Sequence, residues 1–195
     1  RSPSRGLGDV YKRQGMKGII FTEFLDMVEA QFGLAVVDEI ITNSKTLHQG
    51  IYTSVGTYDF NEMVSLLVAL GELVSKDIQE LLYAFGLYLF KSLDEAHPEI
   101  VRNYNSPMPL IAAIEDHIHV HVKKLYPDAD LPSFLVLEKS KHKLIMVYSS
   151  ARGLYSLAHG LMVSAFRHYE QEVQVSYDLL ESDGTKVKFT LQSHV

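Results

Sequence analysis

The segment Tyr148-Ser149-Ser150-Ala151-Arg152, read as Tyr-x-Ser-x-Arg, lies twenty-nine residues beyond His119. A tyrosine hydroxyl, a serine hydroxyl and a guanidinium spaced two apart are suited to holding carboxylates. The planar arginine fork donates two parallel charge-assisted hydrogen bonds, and the hydroxyls add neutral donors. In an extended strand, residues two apart point to one face. The spacing therefore predicts that Tyr148, Ser150 and Arg152 converge on one edge of a ligand. An upstream imidazole supplies a metal donor, so the two features together suit a ligand with one metal and a pair of carboxylates.

The flanking residues divide into a helical half and a strand half. Ile19, Ile20, Phe24, Met27, Val28 and Phe32 recur at helical spacing and stop at Gly33, a C-cap candidate. Further helices are predicted over about 34–44, 58–73 and 78–93. Ser106-Pro107 has the form of an N-cap followed by proline at the first helical position. It opens a predicted helix that runs through His119 to about Tyr126, where Pro127 stops it. After Pro132 the period changes. Phe134–Glu138 and Lys143–Ser149 read as strands joined around Lys141-His142, and a helix is predicted over about 154–172. The end of the chain alternates: Val173, Val175, Tyr177 and Leu179 share a face, as do Val187, Phe189 and Leu191. Asp183-Gly184 between them is a hairpin signal. The fold class is α+β, with helices first and an antiparallel sheet at the end.

At 195 residues, 47% hydrophobic and 22% charged, the chain is large enough for one domain with a sizeable core. No apolar run approaches the ~18–20 residues of a membrane span, which argues against a membrane location. The absence of cysteine excludes disulfides and thiolate-ligated metal or haem, and fits the cytoplasm. Residues 1–15 lack apolar periodicity and the apolar stretch of a secretory signal, and read as a non-native leader. The remainder, 16–195, reads as a single domain with two lobes. The leader carries a net +3, leaving −9 for the rest of a chain whose net charge is −6. So acidic a domain has no electrostatic footprint for nucleic acid.

Nine histidines include His117-x-His119-x-His121. On a strand all three would share a face and form a metal cluster; on a helix only His117 and His121 do so. Solvated or merely satisfied histidines are the default reading, and His117 and His121 are expected at the surface. One alternative function remains open on these residues: a zinc-dependent hydrolase using the three histidines, with Glu115 or Asp116 as base. Another is a small-ligand interaction module without haem.

Three landmarks carry a family resemblance: the opening Met16-Lys17-Gly18-Ile19, the histidine followed by Lys124-Leu125-Tyr126-Pro127 and Leu131-Pro132, and Tyr-x-Ser-x-Arg. In this order and spacing the chain, from Met16 to about Leu191, resembles the haem nitric oxide/oxygen binding (H-NOX) domains, most closely the bacterial stand-alone nitric oxide sensors. The resemblance implies haem b held between the lobes, with His119 as the proximal iron ligand and Tyr148, Ser150 and Arg152 on the propionates. It also implies that Pro132 packs against the macrocycle and helps hold it out of plane.

The distal pocket implied by the resemblance comprises Ile20, Phe24, Leu89, Leu157 and Leu161. Oxygen-binding relatives carry a tyrosine at the position of Leu157, whose hydroxyl favours bound oxygen. No donor stands among these five residues, which predicts selectivity for nitric oxide, with carbon monoxide as a second ligand. Helical geometry turns Tyr155 and His159 about 200° away from Leu157. The implied role is that of a sensor, not an enzyme. Nitric oxide weakens the His119–iron bond, the haem relaxes, and the signal passes to a separate histidine kinase or cyclic-di-GMP enzyme.

Overall fold

A computed structural model describes residues 15–194. The leader expected over 1–15 lies outside this range except for Gly15, which pairs with Asp59. The chain forms two units. The first comprises the described residues up to Leu81 together with Tyr126–Asp130; the second comprises Leu82–Leu125 and the described residues from Leu131 onward.

In the first unit, β1 (Gly15–Lys17) leads directly into α1 (Gly18–Phe32) and α2 (Leu34–Ser44). Gly33 joins the two helices at φ 90°, a conformation that an L-residue adopts only at a cost. β2 (Thr57–Asp59) pairs antiparallel with β1 and precedes α3 (Phe60–Val74), whose N-cap Asp59 accepts a hydrogen bond from Asn61 N at 2.8 Å. The helical period of the sequence is realised as a core of Phe21, Phe24, Met27, Val28, Ile40, Met63, Leu66 and Leu70. Lys17 Nζ reaches Asp128 Oδ1 at 3.1 Å, tying the 126–130 segment to β1.

Beyond α3 runs α4 (Ile78–Ala96), then a short α5 (Pro98–Val101) that periodicity did not predict. The helix expected from Pro107 to Tyr126 is not continuous. It is built from α6 (Pro107–Ala112), a π-helical turn (Ile114–Ile118) and α7 (His119–Leu125). Ser106 precedes it in extended backbone, but its side chain makes no capping hydrogen bond. The four-stranded sheet follows as β3 (Ser133–Lys139), β4 (Lys143–Ser149), β5 (Gln174–Leu179) and β6 (Lys186–Gln192), with α8 (Tyr155–His168) between β4 and β5. Strand order is β3-β4-β6-β5, all antiparallel. The α+β expectation therefore holds.

Paired central strands make the second core. Leu144, Met146 and Tyr148 of β4 lie opposite Leu191, Phe189 and Val187 of β6, and all six are buried. β5 is an edge strand, so its alternating residues Tyr177 and Leu179 remain exposed. α8 stops at His168, four residues short of its expected end, and Glu170 turns to φ 54° just beyond. Two glycines set how α8 packs on α4. A methyl on Gly86 would run into the carbonyl oxygen of Leu157, and one on Gly160 into that of Tyr83.

Candidate functional site

The π-helical turn explains how His119 is presented. His119 N–H bonds to Ile114 O, and Ile118 N–H to Ala113 O at 3.2 Å, both spanning five residues instead of four. The extra residue opens the ladder immediately before His119, and such turns are frequent at functional positions. Within it, Glu115 Oε1 lies 3.2 Å from His119 Nδ1 and accepts the Phe134 N–H at 2.8 Å. One carboxylate thus fixes the imidazole and the start of β3 together. With Nδ1 engaged, Nε2 is the ring nitrogen left for a metal, and an acceptor on the other nitrogen is the usual support of a metal-bound histidine. Burial pushes the His119 imidazole below its ordinary pKa, with Lys123 adding to the effect and Glu115 opposing it. A neutral ring is the form that ligates metal.

Tyr148 is buried near the end of β4. Its oxygen accepts the Leu154 N–H at 2.9 Å, so the phenol proton remains to be donated. Burial raises its pKa, only partly offset by Ser150, the Leu154 N–H and the Arg152 charge. It is a neutral donor at physiological pH.

Strand parity does not bring Arg152 to Tyr148, contrary to expectation, because β4 ends at Ser149 and residues 151–152 form a turn. The turn itself gathers the group: Ser150 Oγ accepts the Arg152 N–H at 3.2 Å, and Gly153 closes the turn at φ 62°. Phe134 joins the two halves of the site. Its ring lies 6.0 Å from that of His119 and 5.5 Å from that of Tyr148, edge-on to the latter. Pro132 stands in the loop immediately before β3, half-buried.

Where α4 meets α8, the contact falls on the backbone of Leu157 and Leu161, and Leu89 follows Gly86 by three residues, close to one helical turn. Leu89 is buried; Leu157 and Leu161 are half-buried. Tyr155 and His159 both lay their rings against Tyr177, and His159 also faces Tyr83 and Phe189. Ile20 and Phe24 lie on α1 in the first unit, half-buried and buried respectively.

The histidine cluster considered for a zinc hydrolase does not form. His117 Nδ1 pairs with Tyr104 Oη at 2.5 Å, His119 with Glu115, and His121 Nε2 lies 3.3 Å from Glu99 Oε1. His117 and His121 are half-buried and not surface residues as expected. The π-helical turn changes the helical phase between them, which an unbroken α-helix would have kept.

Two site residues escaped the sequence reading: Glu115 as the partner of His119, and Phe134. The signal for Glu115 was present in its i, i+4 placement before His119. Nothing in the sequence marks Phe134, which owes its place to β3 pairing.

The donor set fits haem: one oriented, neutral imidazole for iron, with a guanidinium and two hydroxyls for carboxylates. The comparisons agree. A family model described as Haem-NO-binding matches residues 17–177. Among solved structures, the unliganded Fe(II) H-NOX protein from K. algicida is 43% identical with a TM-score of 0.89, over 92% of this chain and 97% of that one. The H-NOX protein from S. oneidensis in the Fe(II)NO ligation state is 30% identical with a TM-score of 0.85, over 92% and 100%. An H-NOX from Shewanella woodyi in the Fe(II)CO ligation state is 34% identical with a TM-score of 0.78, over 91% and 94%. No curated protein sequence matches. The chain belongs to the Haem-NO-binding (H-NOX) family of haem-based gas sensors.

Proposed function

We propose that the chain senses nitric oxide, with His119 Nε2 as the iron ligand, and that Tyr148, Ser150 and Arg152 hold the haem propionates while Pro132 packs against the ring. Bound ferrous haem b supplies an open iron position for a diatomic gas. The observation that carries this reading is Glu115 on His119 Nδ1, which leaves the metal-binding nitrogen of a neutral, half-buried imidazole oriented. Without a bound iron to hold it, His119 and α7 would be held only by protein contacts. The single hydrogen bond to Glu115 and the irregular π-helical turn make this segment the natural place for movement. That movement biases the chain between two states, and differential ligand binding selects one of them.

Gas preference follows from the side chains available. Leu89, Leu157 and Leu161 carry no hydrogen-bond donor, and the same holds for Ile20 and Phe24. Partly negative bound oxygen therefore gains no stabilisation from them, whereas nitric oxide and carbon monoxide need none. The output is a protein–protein signal in the cytoplasm to a histidine kinase or a cyclic-di-GMP enzyme, with no reaction catalysed by this chain. Among the described residues no helix is long and apolar enough to cross a membrane.

The test is the visible spectrum of anaerobically reduced protein, with separate samples exposed to nitric oxide and to air. The expected result is a histidine-ligated ferrous spectrum that shifts with nitric oxide and forms no stable oxygen complex. A stable oxygen complex would contradict the gas preference. A protein that takes up no haem on reconstitution would contradict the sensor reading altogether.

A further inference from the structure

We infer that His97, Glu99 and His121 form a second metal site, for a zinc-class divalent cation. The three residues come from two elements of the second unit. His97 and Glu99 flank Pro98 at the start of α5, and His121 lies on α7. Glu99 Oε1 sits 3.3 Å from His97 Nδ1 and 3.3 Å from His121 Nε2. One donor atom from each residue lies within 4.8 Å of the other two. Donors around a tetrahedral zinc at ~2.0–2.1 Å stand about 3.3–3.4 Å apart. Both oxygen–nitrogen separations already match that edge, and small χ rotations close any wider nitrogen–nitrogen distance.

An ordinary ion pair accounts less well for His121. Its Nε2 is shut off from water, and the Glu99 Oε1 3.3 Å away is too poorly aligned to satisfy it fully. Buried polar atoms are rarely left so. A metal would take the place of the proton on this nitrogen and bind the lone pair of the neutral ring. Two imidazoles and a carboxylate suit zinc over calcium or magnesium, which prefer all-oxygen shells. Three protein donors leave a fourth position for water. The Glu99 side chain is 56% exposed and gives the ion a route in.

The site is separate from the iron-binding group, since His119 is committed to Glu115 and contributes no atom to it. It does share α7 with His119, so a bound ion would pin that helix to α5.

The test titrates the chelator-stripped, haem-loaded full chain with zinc chloride by calorimetry. One zinc per chain is expected, with affinity falling at least tenfold in His97→Gln and in Glu99→Gln. Neither substitution lies on α7, and an unchanged haem spectrum reports that each variant is folded. Zinc-edge X-ray absorption should show nitrogen and oxygen neighbours at about 2.0–2.1 Å, including two imidazoles. No zinc uptake by the unaltered chain, or an affinity that both folded variants keep, overturns the site.

Discussion

Two histidine–glutamate pairs, one in each unit, are built with opposite burial. In the first unit Glu62 is the hidden partner, 9% exposed, and His48 the open one at 39%; in the second, His119 is 17% exposed and Glu115 40%. Glu62 is a hub: its carboxylate accepts from His48 Nδ1 at 2.6 Å, the His48 N–H at 3.3 Å and the Tyr52 hydroxyl at 2.9 Å. All its bonds go to one loop, which it fastens to α3. Glu115 instead has one bond to give structure, at Phe134, and one to orient an imidazole. Where the carboxylate is buried the pair holds the fold. Where the imidazole is the better-buried partner and its far nitrogen faces away from the carboxylate, the pair is placed to serve a site.

The sharpest break of this comparison is His119→Gly. It should abolish the histidine-ligated ferrous spectrum, with free imidazole restoring it, while the unfolding midpoint of the haem-free protein stays close to that of the unaltered chain. Glu62→Ala should do the reverse. It removes three hydrogen bonds to a buried carboxylate, leaving the Tyr52 hydroxyl only its long contact to Thr46 Oγ1 at 3.4 Å, at a cost of about 3 kcal/mol in denaturant unfolding, with haem binding intact. If Arg152 holds the propionates as proposed, Arg152→Ala should weaken haem retention about tenfold in transfer to apomyoglobin, roughly 1.4 kcal/mol.

A smaller effect concerns Tyr52, which burial and the nearby Glu62 push up to about 12. Because the folded value lies above the unfolded one near 10, the neutral phenol contributes stability below pH 10. That contribution is lost as pH rises from about 10 to about 12. Tyr52→Phe should flatten that part of the stability profile, and an ultraviolet titration should show one fewer late-ionising tyrosine.

The long helices were legible because their apolar period persists over three or more turns: α1 and α2 were expected within a residue of where they lie. β4 and β6 were legible for the same reason at period two, since both are central strands and bury one face. The edge strand β5 keeps the alternation without the burial, so its pattern overstated its core. Short elements left too little period to read. β1, β2 and α5, of three, three and four residues, depend on what they pack against.

At the candidate site, His119 was singled out only through the family resemblance, whereas Tyr148, Ser150 and Arg152 were marked first by their donor chemistry and two-residue spacing. The π-helical turn was hidden because one added residue leaves no compositional mark, and it changes every side-chain direction after it. That is why His121 meets Glu99 and not His117.

Resonance Raman spectroscopy of the iron–histidine stretch in ferrous protein, unaltered and Glu115→Gln, tests the central claim most directly. A carboxylate on Nδ1 makes the imidazole a stronger donor. The stretch should therefore move to lower frequency in Glu115→Gln while the unfolding midpoint barely changes. An unchanged stretch, or a variant that loses stability as Glu62→Ala does, would show that Glu115 holds the fold and does not serve the iron ligand.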